Sequence, residues 1–259
     1  MAKKKVYLSV VIPCYNEQKN LERGVLDEVD MYMSKQKYTW EVIISDDAST
    51  DDSLQLVERY VKKHKGFRLL KNAHGGKAVA LRYGLNKAKG EYALLTDMDQ
   101  STPVDQLSRL LPKIDEGYEV IIGSRGLVRK NSSALRKLAS ATFSWVRRSI
   151  LLRHIEDTQC GFKLVQTDLG NKLFDQMQIF NQAANVKGWV VAAWDVEFLY
   201  VAEKWGYRVA EVPVEWQDED ISDSKNRSAS KFVQESIDML KQIMRVRKND
   251  WSGLYENKK

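Results

Sequence analysis

Short β-branched apolar runs alternate with longer segments whose apolar residues recur every three or four positions through the first half of the chain. "VYLSVVIPCYN" (6–16), stopped at Pro13, predicts a buried strand, and "EQKNLERGVLDEVDMYMSK" after it has helical periodicity. "WEVIISDDAST" (40–50) predicts a second strand ending in acids. "DDSLQLVERYVKKH" then predicts a helix with Ser49 or Thr50 near its N-cap and carboxylates in its first turn. "FRLLKN", "EYALLTD" and "YEVIIGSR" read as strands; "GKAVALRYGLNKAKG", closed by Gly90, and "PVDQLSRLLPKID" read as helices. This alternation up to residue 125 implies βαβ units, and so an α/β fold with a mostly parallel sheet flanked by helices on both faces.

Beyond residue 125 the pattern changes. "LRKLASATFSWVRRSILLRHI" (135–155) is amphipathic and basic, with Leu138, Phe143, Trp145, Val146, Ile150 and Leu151 as its apolar side. "DTQCGFKLVQ" runs from irregular chain into a strand, "WDVEFLYVAEKWG" is a helix closed by Gly206, and "YRVAEVPVEWQ" alternates like a strand. From Ser228, "SKFVQESIDMLKQIMRVRK" forms another amphipathic basic helix. With no linker-like stretch, the chain divides into one large domain over 1–226 and a C-terminal amphipathic basic helix and tail over 227–259.

Composition narrows the class. At 259 residues, 43% hydrophobic and 29% charged, the chain suits a single α/β domain, and 14 Gly with 4 Pro leave no low-complexity tract. No apolar stretch approaches the roughly 20 residues of a membrane span. "MAKKK" leads into a strand without the apolar core of a signal peptide. Cys14 and Cys160 match no metal-ligand spacing and suit a reducing compartment, so a cytoplasmic location is expected. The net charge of +6 is unevenly spread. Basic residues crowd between Arg125 and Arg148, which fits an anionic partner such as phosphate, a lipid headgroup or nucleic acid, or else a solvated helix face.

Candidate chemistry falls at the strand ends, where ligands of such sheets bind. In "LLTDMDQSTP" (94–103), Asp97 and Asp99 are i and i+2 and would face one way from an extended chain. Two carboxylates so close invite a cation. Mg²⁺ or Mn²⁺ takes one or two protein carboxylates and completes its shell with substrate phosphates. The alternative is one capping acid at Pro103 and one solvated acid. Asp46 and Asp47 could accept hydrogen bonds from a base or ribose, or simply begin a charged helix. "HGGK" (74–77) offers flexible backbone and a cation, yet it is neither a Walker A loop nor a dinucleotide fingerprint.

Taken in order, "VVIPCYNE", "EVIISDDAST", "HGGKAVALRYGL", "LLTDMDQSTP", "IIGSR" and "DTQCGFKL" resemble the family 2 glycosyltransferases of the GT-A (Rossmann-like) fold. The resemblance covers residues 6–226 and is closest to the dolichyl- or polyprenyl-phosphate sugar transferases. "EDTQCGFKL", "WDVEFLYVAE" and "VAEVPVEWQDEDISDSK" resemble the β-glucosyl branch more than the mannosyl one. It implies that Pro13, Tyr15, Glu17 and Asp46 or Asp47 hold the nucleoside of a nucleotide-sugar, UDP-glucose or GDP-mannose, while Lys77 approaches the diphosphate or sugar. Asp97 and Asp99 would handle ribose, metal (Mg²⁺ or Mn²⁺) and diphosphate, with Asp99 the direct ligand. Arg125, Arg136 and Ser140 would bind the phosphate of a polyprenyl phosphate, Gln159 would line the acceptor or sugar side, and Lys225 would sit on a closing loop. Four features depart from the family pattern: Ala78 stands where Gly is usual after "HGGK", Met98 separates the aspartates, "IFNQAANVKGWVVAAW" is long, and flanking membrane helices are missing.

The resemblance implies direct displacement with inversion by an anionic lipid phosphate, which needs positioning more than a general base. Amphipathic helices would then place the protein peripherally at the cytoplasmic face of a membrane surface. Three other readings stay open. One is a polyprenyl-phosphate mannosyltransferase. Another is a family 2 transferase with a sugar acceptor, for which Asp195 in "WDVE" is the candidate base, although a helix N-cap or surface role also fits that residue. The third is a nucleotide- or nucleic-acid-binding protein; no nucleic-acid module is recognisable, so no nucleic-acid partner is expected.

Overall fold

The computed structural model describes residues 5–126, 151–182, 194–217, 219–221 and 229–257; for 181–182 and 229–236 only the backbone is described. The expectations for Arg136, Ser140, the rest of the basic segment up to Ile150, and Lys225 lie outside the described residues.

The strands are β1 (Leu8–Cys14), β2 (Trp40–Asp46), β3 (Phe67–Lys71), β4 (Tyr92–Leu95), β5 (Val120–Ser124), β6 (Lys163–Gln166) and β7 (Val209–Pro213), each where an apolar run predicted one. They form a sheet in the order β3-β2-β1-β4-β6-β5-β7. β1 pairs in parallel with β2 and β4, β2 with β3, and β5 with β7, whereas β6 runs antiparallel between β4 and β5. The mostly parallel expectation holds, and β6 is the exception.

Successive side chains of a strand point to opposite faces, so each buried strand serves two cores. Val10, Ile12 and Leu94 pack with Val25, Val29 and Leu107 on one face. Val11, Ala93 and Leu95 pack with Leu81, Leu85, Phe174 and Phe198 on the other. Burying each of these Val, Ile, Leu and Phe side chains contributes roughly 1.5–3 kcal/mol. Over the first face lie α1 (Gln18–Glu22) and α2 (Val25–Met33), and beside them α3 (Ser53–Lys63). Further along, a 3₁₀ turn (Val104–Gln106) leads into α5 (Leu107–Leu110) and α6 (Pro112–Asp115). The second face is covered by α4 (Lys77–Asn86), α7 (Thr167–Gln176), α9 (Trp194–Lys204) and the long α10 (Ala229–Trp251), with the short α8 (Ile179–Gln182) beyond α7.

Several local expectations need correction. The first predicted helix is two, because Gly24 adopts φ +91° between α1 and α2, a conformation open mainly to glycine. The helix after Pro103 breaks into short turns at Pro112, since proline cannot continue an internal hydrogen-bond ladder. Neither Ser49 nor Thr50 caps α3: Ser49 bonds to Asp46, Thr50 to Asn16, and the Ser53 N–H donates to Asp51. α4 ends at Asn86, and Gly90 instead lets the chain pass against β1, where a Cβ would stand 2.5 Å from the Ser9 nitrogen. The helix Thr167–Gln176 was not anticipated.

Candidate active site

The carboxyl ends of β1, β2, β4 and β5 carry the polar residues singled out in the sequence. β4 stops at Leu95, and the two aspartates sit on a turn in which the Gln100 N–H donates to the Asp97 carbonyl at 3.4 Å. They are therefore not on an extended strand, as first expected. Met98 between them is buried in the core at 2% exposure, which turns the two acids outward together.

Asp97 Oδ1 lies 2.5 Å from Lys77 Nζ at the start of α4. Partial burial acts to lower the Lys77 ammonium, but Asp97, Asp195 and Asp99 outweigh it and hold its pKa above the usual value. Asp99 Oδ1 accepts the Ser101 N–H at 2.9 Å. Burial, then the Asp97 charge, raises the Asp99 carboxyl above the ordinary range. A second carboxylate beside the raised Asp99 makes a site that favours an added cation.

A second polar group stands on the loops after β1 and β2. Asp47, 2% exposed, accepts from the Gly75 and Gly76 N–H groups, each at 2.8 Å. Its carboxylate thus shapes the loop that presents Lys77. Asp46 is buried too and accepts from the Ser49 hydroxyl at 2.6 Å. Both carboxylates act on the protein's own loops. Tyr15, 43% exposed, and His74 stand with ring centroids 4.6 Å apart, leaving an aromatic surface at this end. Pro13 closes β1 nearby. Glu17 accepts from Asn20 Nδ2 at 2.6 Å. Burial, with Asp220, Asp99 and Asp97 adding to it against the Asn20 hydrogen bond, pushes the Glu17 carboxyl up to about 7.

On the other side, Arg125 follows β5 and makes a two-pronged contact with Asp157, Nε to Oδ2 at 2.7 Å and Nη2 to Oδ1 at 2.8 Å. Burial opposes its charge, yet Asp157 keeps the guanidinium pKa raised. Its guanidinium also lies 5.8 Å from the Trp216 ring centroid. The Gln159 N–H donates to Asp157, and Gln159 Nε2 donates to Met239 Sδ on α10 at 3.5 Å. The described structure thus brings together Lys77, Asp97 and Asp99, and separately Arg125 and Gln159 through Asp157.

Sequence reasoning missed five contributors. Gly161 passes so close to Asp97 that a Cβ would lie 2.6 Å from its Cγ. Arg23 donates to the Asp99 carbonyl at 2.6 Å and pairs with Glu219 at 3.1 Å. Asn20, fully buried, bonds Glu17 and Asp220 and so ties the 219–221 segment to α1. Asp157 orients Arg125, although its motif was noticed. Lys163, 1% exposed, pairs with Asp195 at 2.6 Å and donates to the Cys160 carbonyl. Asp195 is accordingly neither a surface acid nor an N-cap. It is buried inside the first turn of α9, and burial, opposed by Lys163, raises its carboxyl pKa.

The acid pair and Lys77 stand at the carboxyl ends of the strands of a doubly covered α/β sheet, where such sheets bind their ligands. Residues 9–174 match the family described as Glycosyl transferase family 2, and the chain belongs to that family. It is a glycosyltransferase of GT-A fold. Among curated relatives, the dolichyl-phosphate beta-glucosyltransferase ALG5C of Trichomonas vaginalis is 32% identical, over 95% of this chain and 74% of the relative. The dolichyl-phosphate beta-glucosyltransferase of Dictyostelium discoideum is 32% identical over 98% and 77%, and the human one 31% over 81% and 67%. Among solved structures, mannosyl-3-phosphoglycerate synthase from Rubrobacter xylanophilus superposes with a TM-score of 0.67 at 16% identity, covering 98% of this chain and 77% of that one. A glucosyl-3-phosphoglycerate synthase structure from Mycobacterium tuberculosis, in complex with Mn²⁺, UDP and phosphoglyceric acid, gives 0.60 at 16% identity over 93% and 77%. These two show the fold alone.

Proposed function

We propose that the chain transfers glucose from UDP-glucose to a polyprenyl phosphate of the dolichyl type, with inversion, as a peripheral protein at a membrane. The observation that carries this reading is the meeting of Asp97, Asp99 and Lys77 at the strand ends, in a chain that aligns over nearly its full length with dolichyl-phosphate beta-glucosyltransferases. Membrane attachment is part of the proposal: among the described residues no helix is long and apolar enough to cross a bilayer.

The acid pair fits a hard divalent cation. Among the described residues no three acidic, His or Cys side chains group as a self-sufficient metal cage, and two carboxylates are what Mg²⁺ or Mn²⁺ takes beside substrate phosphates. Asp99, with Asp97 beside it, would hold the ion, which would supply charge neutralisation for the leaving diphosphate. The remaining roles belong to the chain itself. Tyr15 and His74 offer the base an aromatic surface, with Pro13 and Glu17 at the same end. Asp47 sets the loop that aims Lys77 at the diphosphate, with Asp46 fixing the adjoining turn. Arg125, with Arg136 and Ser140, binds the acceptor phosphate, and Asp157 fixes the plane of the Arg125 guanidinium. Gln159 lines that side, and Lys225 closes over the donor.

In the step itself, a phosphate oxygen of the acceptor bonds to the anomeric carbon as the bond from that carbon to the diphosphate oxygen breaks, and UDP departs with the electron pair. The acceptor is already anionic, so no base is required, and two arginines suit phosphate oxygens. The sugar-acceptor reading draws on one observation, the buried Asp195 close enough to perturb Lys77. Its carboxylate is already engaged by Lys163.

The test is a transfer assay with radiolabelled UDP-glucose and GDP-mannose against polyprenyl phosphate and soluble sugars. Label from UDP-glucose should enter the lipid fraction. Preference for GDP-mannose would favour the mannosyl reading, and label only in soluble sugar would favour the sugar-acceptor reading.

A further inference from the structure

The outward face of α10 follows a strict order. Between Ile237 and Trp251 the exposed positions are Ile237, Lys241, Met244, Lys248 and Trp251, spaced by four, three, four and three residues. Ile237, Met244 and Trp251 are 43%, 53% and 73% exposed, and Leu254 just past the helix is 44% exposed. Folding does not account for this stripe, because the helix already has a core-facing one: Ile243 and Val246 are fully buried, with Met239 and Leu240 packed beside them. The acids of this stretch are turned aside. Asp238 pairs with Lys241 at 3.1 Å, and Asp250 is held by Lys204 and, at 3.2 Å, by Arg247. The Arg247 guanidinium lies 5.4 Å from the Trp251 ring centroid. The face therefore presents three large apolar side chains, the Lys248 ammonium and the Lys241 ammonium that Asp238 pairs from its side, with no exposed carboxylate between Ile237 and Trp251.

We propose that this face docks α10 on an anionic bilayer surface. A helix lies in a membrane interface when an apolar stripe is bordered by Lys or Arg, and Trp favours the headgroup level, where its ring is half in hydrocarbon. A second copy of the chain fits less well. A two-helix seam needs apolar residues at both recurring positions of the heptad, and here every second position is a lysine, so pairing would bring like charges together. Placement supports a lipid partner as well. Gln159 contacts Met239, so the docked helix abuts the loop that carries Asp157, the partner of Arg125. This inference rests on the lipid-acceptor reading above for its purpose, while the surface stands on exposure and charge.

The test uses the full chain in flotation with vesicles of phosphatidylcholine alone and with added phosphatidylglycerol, at low and high salt. Wild type should float with the anionic vesicles and be released by salt, because headgroup attraction is screened. Ile237→Glu/Met244→Glu/Trp251→Glu should cut partitioning at least about tenfold, and Lys241→Gln/Lys248→Gln by about tenfold. All five positions are exposed, so thermal stability and transfer to a water-soluble short-chain prenyl phosphate should stay at wild-type levels. Failure of wild type to float, or flotation of the triple variant like wild type, would overturn the proposal. So would a dimer in sedimentation that these substitutions dissolve. Flotation as expected with no prenyl phosphate accepted would sink the acceptor reading and leave the surface standing; transfer without flotation would do the reverse.

Discussion

The backbone of Gly161 lies against the Asp97 carboxylate, so close that a Cβ there would come within 2.9 Å of Oδ1, the oxygen that Lys77 holds at 2.5 Å. The segment entering β6 thus packs the first aspartate of the site in place. Gly161→Ala should displace Asp97 from Lys77 without disturbing the core. Since a shift of about 1 Å in a positioned group can cost on the order of 10²-fold, kcat should fall by about 10–100-fold. Thermal denaturation should change little. Unchanged kcat in a folded variant would mean that the position of Asp97 does not matter to the reaction.

Asp99 owes its raised pKa to burial and then to Asp97, and a divalent cation would relieve both. EDTA should abolish transfer, and Mg²⁺ or Mn²⁺ should restore it. Asp99→Ala should lower the rate by on the order of 10² or more and weaken Mn²⁺ binding measured by calorimetry without substrate. Full activity in EDTA would remove the metal from the proposed mechanism.

Glu17 gives the metal-free protein a pH signature. Its folded pKa of about 7 exceeds the unfolded value of about 4.3. Between these values the folded state binds a proton that the unfolded state lacks, so this group's contribution to stability falls as pH rises through the window and levels off above 7. The full effect is at most about 4 kcal/mol, at about 1.4 kcal/mol per pH unit, less for solvent screening of a partly exposed group. Urea unfolding in EDTA at pH 5 and pH 8 should show Glu17→Gln gaining on wild type at the higher pH. Equal curves for the two proteins would mean that Glu17 is ordinary.

The strands, their mostly parallel arrangement and the strand-end acids were legible because buried strands announce themselves as β-branched runs, and Asp97, Asp99 and Lys77 stand beside recognisable turns. Three things were not. The insertion of β6 between β4 and β5 depends on pairing between distant segments, and no local pattern encodes a partner. Asn20 on α1 and Arg23 just past its end lie in a stretch whose periodicity looks like any other, yet they reach across to Asp220 and Asp99. Asp46 and Asp47 were read as possible nucleoside contacts from their place at a strand end, and nothing local shows that their carboxylates also accept from loop N–H and hydroxyl groups. A glycine stop signal failed at Gly90, where close approach to β1, not a helix end, requires the missing side chain.

The last prediction concerns the joint between α9 and the C-terminal helix. Glu197 is fully buried two residues beyond Asp195. It pairs with Arg245 at 2.8 Å and accepts from the Tyr255 hydroxyl at 2.6 Å and the Gln178 N–H at 2.7 Å. Asn249 in turn donates to the Tyr255 hydroxyl at 3.1 Å. A buried carboxylate with three partners contributes little net while intact, but removing it takes a charged partner from each of them. Glu197→Ala breaks the buried pair with Arg245 and should cost about 3–5 kcal/mol, enough to threaten folding. Tyr255→Phe keeps the ring in the core and removes one hydrogen bond to a charged group, so about 1.5–3 kcal/mol is expected. Urea denaturation measures both, with Tyr255→Phe as the milder variant that keeps the ring in the core. If Tyr255→Phe unfolds at the wild-type urea concentration, the network does not hold the helix. If it is destabilised as expected yet keeps its rate on a soluble acceptor, the joint serves the anchoring of α10 and not the alignment of Asp195.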